Sequence, residues 1–211
     1  MKDVMKLFST LFLMLLFLQA HADEQSLSKL QNVLAPLKTM KAEFKQISED
    51  GRGVVLQTQA GSFVLSKPNR FYWKSEEPFA QLLVSNGETL WVYDEDLEQV
   101  TIQKLDPSLT STPVLLLSGT IEDIQQQYKV YSDTTDGKTT FSLLPKETGS
   151  LFSRLTLYVD QGSMITGLTI KDEVGQVTRV EFKNIQKNVE VASEKFQFNP
   201  PEGVDIIQNQ Q

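Results

Sequence analysis

The sequence predicts a mainly β protein: a single curled antiparallel sheet of about 11 strands, accompanied by short apolar helices. Three observations carry this. Short runs rich in β-branched and aromatic residues recur along most of the chain. Turn-forming pairs separate them, among them Asn86-Gly87, Asp136-Gly137, Gln161-Gly162 and Val174-Gly175. Helical spacing interrupts the rhythm twice, near Leu27–Leu37 and near Pro113–Gln126.

Taken in order, Leu27, Leu30, Leu34 and Leu37 recur at three- and four-residue steps, which predicts a helix over Ser26–Ala35 with Ser26 as its cap and Pro36 as its stop. Strands follow at Lys41–Ser48, Gln57–Leu65, Arg70–Lys74, Ala80–Ser85, Thr89–Tyr93 and Glu98–Lys104. Pro113 opens the apolar cluster Val114, Leu115, Leu116 and Leu117, which reads as a short helix stopped at Ser118-Gly119. Thr120–Gln126 reads as a second, capped by Thr120. Strands resume at Tyr128–Ser132, Lys138–Leu144, Ser153–Asp160, Met164–Lys171 and Gln176–Asn184. Alternation sets Leu155, Leu157 and Val159 on one side of their strand. So many strands curl or close. The apolar helices then either cover the concave face or pack permanently on a filled core. Both readings stand at this point.

The chain begins with Lys2 and Lys6, a run from Leu7 to Leu18 that is apolar apart from Ser9 and Thr10, and Ala20-His21-Ala22. That is the pattern of a secretory signal peptide cut before Asp23. The apolar run is too short for the ~20 residues of a spanning helix. Residues 1–22 are therefore expected to be removed, leaving 23–211 as a single exported domain. The chain carries 20 Lys and Arg against 27 Asp and Glu, a net charge of −7. That balance disfavours nucleic acid and anionic membrane surfaces as ligands. Cysteine is absent, which removes disulfides and the acylation site of an anchored lipoprotein. His21 is the only histidine, so the processed chain lacks the Ser-His and Cys-His catalytic pairs and the usual zinc ligands. The composition favours a binding protein over an enzyme, with no cofactor and no metal expected. The acidic stretches near Asp94 and Asp133 lack the spacing of a calcium loop.

A series of motifs narrows this further. Gly61, Lys67-Pro68, Phe71 and Trp73 are followed by Leu83-Val84-Ser85-Asn86-Gly87, Leu90-Trp91, Tyr93 and Glu98-Gln99. Then come Thr112-Pro113 with Leu116, and finally Phe196, Phe198, Pro200-Pro201 and Gly203-Val204. In order and spacing the series resembles the periplasmic outer-membrane lipoprotein carrier family, LolA, from about Ser26 to Val204.

The resemblance implies an unclosed antiparallel barrel with a lid of short helices over an apolar cavity. It implies a monomeric periplasmic carrier that takes acylated lipoproteins from the inner-membrane ABC transporter LolCDE to the outer-membrane receptor LolB. Two other readings are a periplasmic lipid- or lipoprotein-sensing regulatory domain and a carrier of another lipid cargo. The expected cavity residues are Phe44, Phe63, Leu65, Phe71, Trp73, Leu83, Trp91, Tyr93, Leu155 and Leu157. Leu27, Leu30, Leu34, Val114, Leu115, Leu116 and Leu117 are the expected lid. The family has an arginine before the proline that hydrogen-bonds the lid; here that position is Lys67, which lacks arginine's planar five-donor fork. Arg70 is a second candidate for that contact.

Overall fold

The computed structural model describes residues 24–76, 78, 80–105, 113–147, 150 and 152–209. The expected signal peptide and Thr112 lie outside these residues. Helix α1 spans residues 24–34. Six strands follow: β1 Thr39–Glu49, β2 Val55–Ser66, β3 Arg70–Ser75, β4 Gln81–Asn86, β5 Thr89–Asp94 and β6 Gln99–Lys104. Helices α2 Pro113–Ser118 and α3 Ile121–Gln127 interrupt them. Strands β7 Tyr128–Thr135, β8 Lys138–Pro145, β9 Arg154–Val159, β10 Ile165–Lys171 and β11 Val177–Lys187 complete the second run. A 3-10 turn, Ser193–Phe196, leads to β12 Asp205–Asn209.

All twelve strands form one sheet in the order β12-β6-β5-β4-β3-β2-β1-β11-β10-β9-β8-β7. The two meanders meet where β1 pairs with β11, Phe44 opposite Phe182. Strands β12 and β7 stand at the two ends of the order and do not pair with each other, so the sheet curls but stays open. The expected antiparallel pattern needs one correction. Strand β12 was not anticipated and runs parallel to β6.

The register explains the core. Phe63, Trp73 and Leu83 sit opposite one another across β2, β3 and β4, and Leu168, Leu157 and Phe141 do so across β10, β9 and β8. Directly opposed residues share a face, so these side chains converge on the concave side. There they form one buried cluster with Leu30, Leu34, Leu37, α2 and Ile124.

A second, smaller apolar layer covers the convex side of β3–β6. Tyr72, Val84, Trp91 and Ile102 are mutually opposed on that face, as are Leu82, Tyr93 and Val100. The segment after β11 closes over it. Phe196 is buried there, and the Phe198 ring lies tilted against Tyr93 with ring centroids 5.7 Å apart. Arg70 lies over the Phe196 ring at 5.6 Å and Lys195 over the Tyr72 ring at 3.4 Å, contacts of the cation–π kind.

Candidate functional site: a helix-covered concave face

The floor of the concave side is aromatic at its centre. Trp73 stacks between Phe44, at 4.0 Å, and Phe63, at 5.3 Å. Phe182 meets Phe63 edge-on at 5.1 Å. Gly61 makes this possible, because a Cβ there would stand 2.8 Å from the Phe44 ring and would collide with the Lys74 carbonyl. The Phe44 ring thus lies over the bare backbone of Gly61, its partner in the register. Leu65, Phe71, Leu155 and Leu157 extend the floor, each no more than 1 % exposed.

Three helices sit on this floor. Leu30 and Leu34 of α1 are buried, with Leu27 partly so. The expected N-cap Ser26 lies inside α1 instead, where its hydroxyl shares a 3.0 Å hydrogen bond with Ser132 of β7. In α2, Val114, Leu115, Leu116 and Leu117 are all buried, although a six-residue helix has few ways to hide every face. A helix apolar on all sides must be enclosed. Helix α3 begins with the reciprocal capping box of Thr120 and Asp123 and runs directly into β7. Lys146 donates to the Gln125 and Gln127 carbonyls, fixing its far end to β8.

One turn holds two helix ends. The β2–β3 turn consists of Lys67-Pro68-Asn69, with a cis bond at Pro68 and positive φ at Asn69. Lys67 donates from Nζ to the Leu34 carbonyl at 3.3 Å, at the C-terminus of α1. A cation there also meets the negative end of the helix dipole. Burial pushes the Lys67 ammonium below its ordinary value, partly offset by attraction to Glu122 of α3. The Asn69 N–H donates to the Ser118 carbonyl at 2.9 Å, at the C-terminus of α2. From the floor, Ser85 donates to the Asn69 carbonyl at 2.9 Å and accepts the Gly87 N–H at 3.1 Å. Between the turn, α2, α3 and Tyr128 lies a crevice of about 20 Å³.

The structure thus gathers Phe44, Phe63, Leu65, Phe71, Trp73, Leu83, Leu155 and Leu157 on one concave surface beneath the expected lid residues. Trp91 and Tyr93, expected beside them, are on the convex face; their neighbours Leu90 and Val92 face the helices. Arg70 also points away from the helices, to Ser66 and Phe196. Nothing in the sequence singles out Asn69 or Glu122, and Ser85 stood out there only as the last residue of a strand and as part of the Leu83-Val84-Ser85-Asn86-Gly87 motif.

The family model described as outer membrane lipoprotein carrier protein LolA matches residues 35–199. The chain belongs to this family. An outer-membrane lipoprotein carrier protein of Pseudomonas fluorescens is 41% identical over 191 residues, covering 90% of this chain and 92% of its relative. One from Pseudomonas paraeruginosa is 40% identical over 208 residues, covering 97% and 100%. Among solved structures, a LolA superfamily protein of Nitrosomonas europaea matches with a TM-score of 0.50 at 12% identity, covering 84% of this chain and 98% of that one. An uncharacterised conserved protein of Thermus thermophilus reaches 0.54 at 10% identity, covering 88% and 98%. These two likenesses are of fold. No helix among the described residues is long and apolar enough to cross a membrane.

Proposed function

We propose that this LolA-family chain is a periplasmic carrier of acylated lipoproteins, and that the acyl chains occupy the concave face that α1 and α2 now cover. The observation that carries the reading is the apolar floor, capped by leucine-bearing helices whose ends are tied at one turn. Each buried CH₂ contributes about 0.8 kcal/mol, so a sixteen-carbon chain gains on the order of 12 kcal/mol by leaving water. Lid leucines and acyl carbons compete for the same surface. Exchanging one for the other keeps the net energy of loading far below that gross figure, which allows release as well as capture. The task makes and breaks no covalent bond, in keeping with a processed chain that lacks His and Cys.

In this reading Lys67 is the latch, and Val114–Leu117 with Leu27, Leu30 and Leu34 form the moving cover. LolCDE would be the donor and LolB the acceptor. The test is release of a labelled lipoprotein from energised inner-membrane vesicles bearing that transporter. A carrier yields a soluble one-to-one complex that then passes its cargo to the receptor. Failure to form that complex, or turnover of the acyl ester, would overturn the proposal.

A further inference from the structure

We infer that Ser85 is a positioning residue for cargo loading: its buried hydroxyl sets the turn that catches α2, and so sets how readily α2 lifts. The inference rests on the carrier reading and adds to it a residue and a direction of movement. Ser85 is 0% exposed and stands on the concave face of β4, opposite Phe71 and Leu90. Every hydroxyl in such a place must find partners. Its donor bond goes to the Asn69 carbonyl, and Asn69 in turn donates its N–H to the Ser118 carbonyl. The bonds at 2.9 Å on either side of Asn69 make a short chain from sheet to helix.

The surroundings decide what that chain controls. Helix α3 is capped at its start, continuous with β7 at its end and fastened by Lys146, so it moves with the sheet. Helix α2 is joined to α3 through Gly119-Thr120 and, among the described residues, is held by the Asn69–Ser118 bond and by the packing of Val114–Leu117 in the buried cluster, with no side-chain cap or fastening of the kind α3 has. The Gly119 N–H closes α2 on the Leu115 carbonyl at 2.9 Å. A helix clipped at its last residue and followed by glycine lifts by rotation about that end once the clip loosens. Ser85 fixes the orientation of Asn69, which is held at φ 58°, and thereby the aim of the clip.

Removing the hydroxyl forfeits one buried hydrogen bond of the closed form and leaves the Asn69 carbonyl short of a partner, a shift of roughly tenfold toward the open form. The experiment uses the processed chain, a fluorescent sixteen-carbon fatty acid and hydrogen exchange. In Ser85→Ala, loading should accelerate by about that factor, and exchange should rise in 113–119 and at the β2–β3 turn while β8–β10 keep their protection. Ser85→Thr, which retains the hydroxyl, should load like the parent. Where Ser85→Ala does not fold, Ser85→Cys, with its weak donor, carries the same measurements. Unchanged loading, or a rise in exchange spread evenly over the sheet, would reduce Ser85 to a structural residue. Failure of the parent protein itself to take up the probe would instead sink the carrier reading.

Discussion

Lys67 holds the end of α1 with one hydrogen bond from its ammonium, where an arginine would offer a rigid fork of five donors. A hydrogen bond from a charged group contributes about 1.5–3 kcal/mol, enough to move a two-state lid by tenfold or more. Lys67→Leu should therefore load a sixteen-carbon fatty acid faster and leave α1 less protected from exchange. Lys67→Arg should do the reverse, and equal loading rates in all three would remove Lys67 from the latch. The same group gives a pH signature. Burial lowers the Lys67 pKa below its ordinary 10.5, so approaching that value the unfolded chain binds more protons than the folded one. Stability contributed by this site consequently rises with pH in the window just below 10.5. Arginine stays charged throughout, so the difference in denaturation midpoint between parent and Lys67→Arg should drift in the parent's favour across that window. A constant difference would mean that Lys67 is not buried against α1.

Helices and strands differ in how much of them the sequence disclosed. Eleven strands were legible because runs of β-branched and aromatic residues mark them and turn pairs punctuate the later ones, and the helices because leucines recur at helical spacing, follow a proline or, for α3, follow the cap Thr120. Strand β12 escaped: it is short, pairs in parallel, and leaves Ile206 and Ile207 half exposed on an open edge, so no alternation marks it. The facing of β5 escaped for a different reason. Leu90 and Val92 look toward the helices, whereas Trp91 and Tyr93 lie on the convex face, Tyr93 against Phe198 of the C-terminal segment, so both sets are apolar. Alternation reveals a buried face only when the opposite face is polar. Ownership of a leucine by lid or floor is likewise a matter of contacts, and it is testable. Leu30→Ala and Leu155→Ala each truncate a side chain no more than 1 % exposed, and each should cost about 2–5 kcal/mol of folding stability. Their effects on loading should part. The α1 variant weakens only the closed form and should load faster, whereas the β9 variant thins the surface that the acyl chain needs and should bind more weakly. Parallel effects of both would mean that α1 is fixed core.

For the whole molecule, the open sheet order and the absence of any disulfide put the burden of closure on side-chain packing between helices and sheet. A carrier must pass between a state in which its own leucines cover the floor and one in which cargo does, and the barrier between them is the parting of α1 and α2 from the sheet. The Ser26–Ser132 contact spans that boundary, its hydroxyl oxygens 3.0 Å apart and 106 residues distant in sequence. A Ser26→Cys, Ser132→Cys pair therefore offers a reversible lock, with no native thiol to compete. Closing a loop of about 100 residues should raise stability by up to ~4.7 kcal/mol in the chain-entropy treatment. The oxidised variant should melt higher than the parent and take up neither fatty acid nor lipoprotein, and reductant should restore uptake to the parent rate. Uptake by the oxidised form would show that cargo enters without moving α1. The route in would then run past α2 alone, where Gly119 and the Asn69 clip already provide a pivot and a catch.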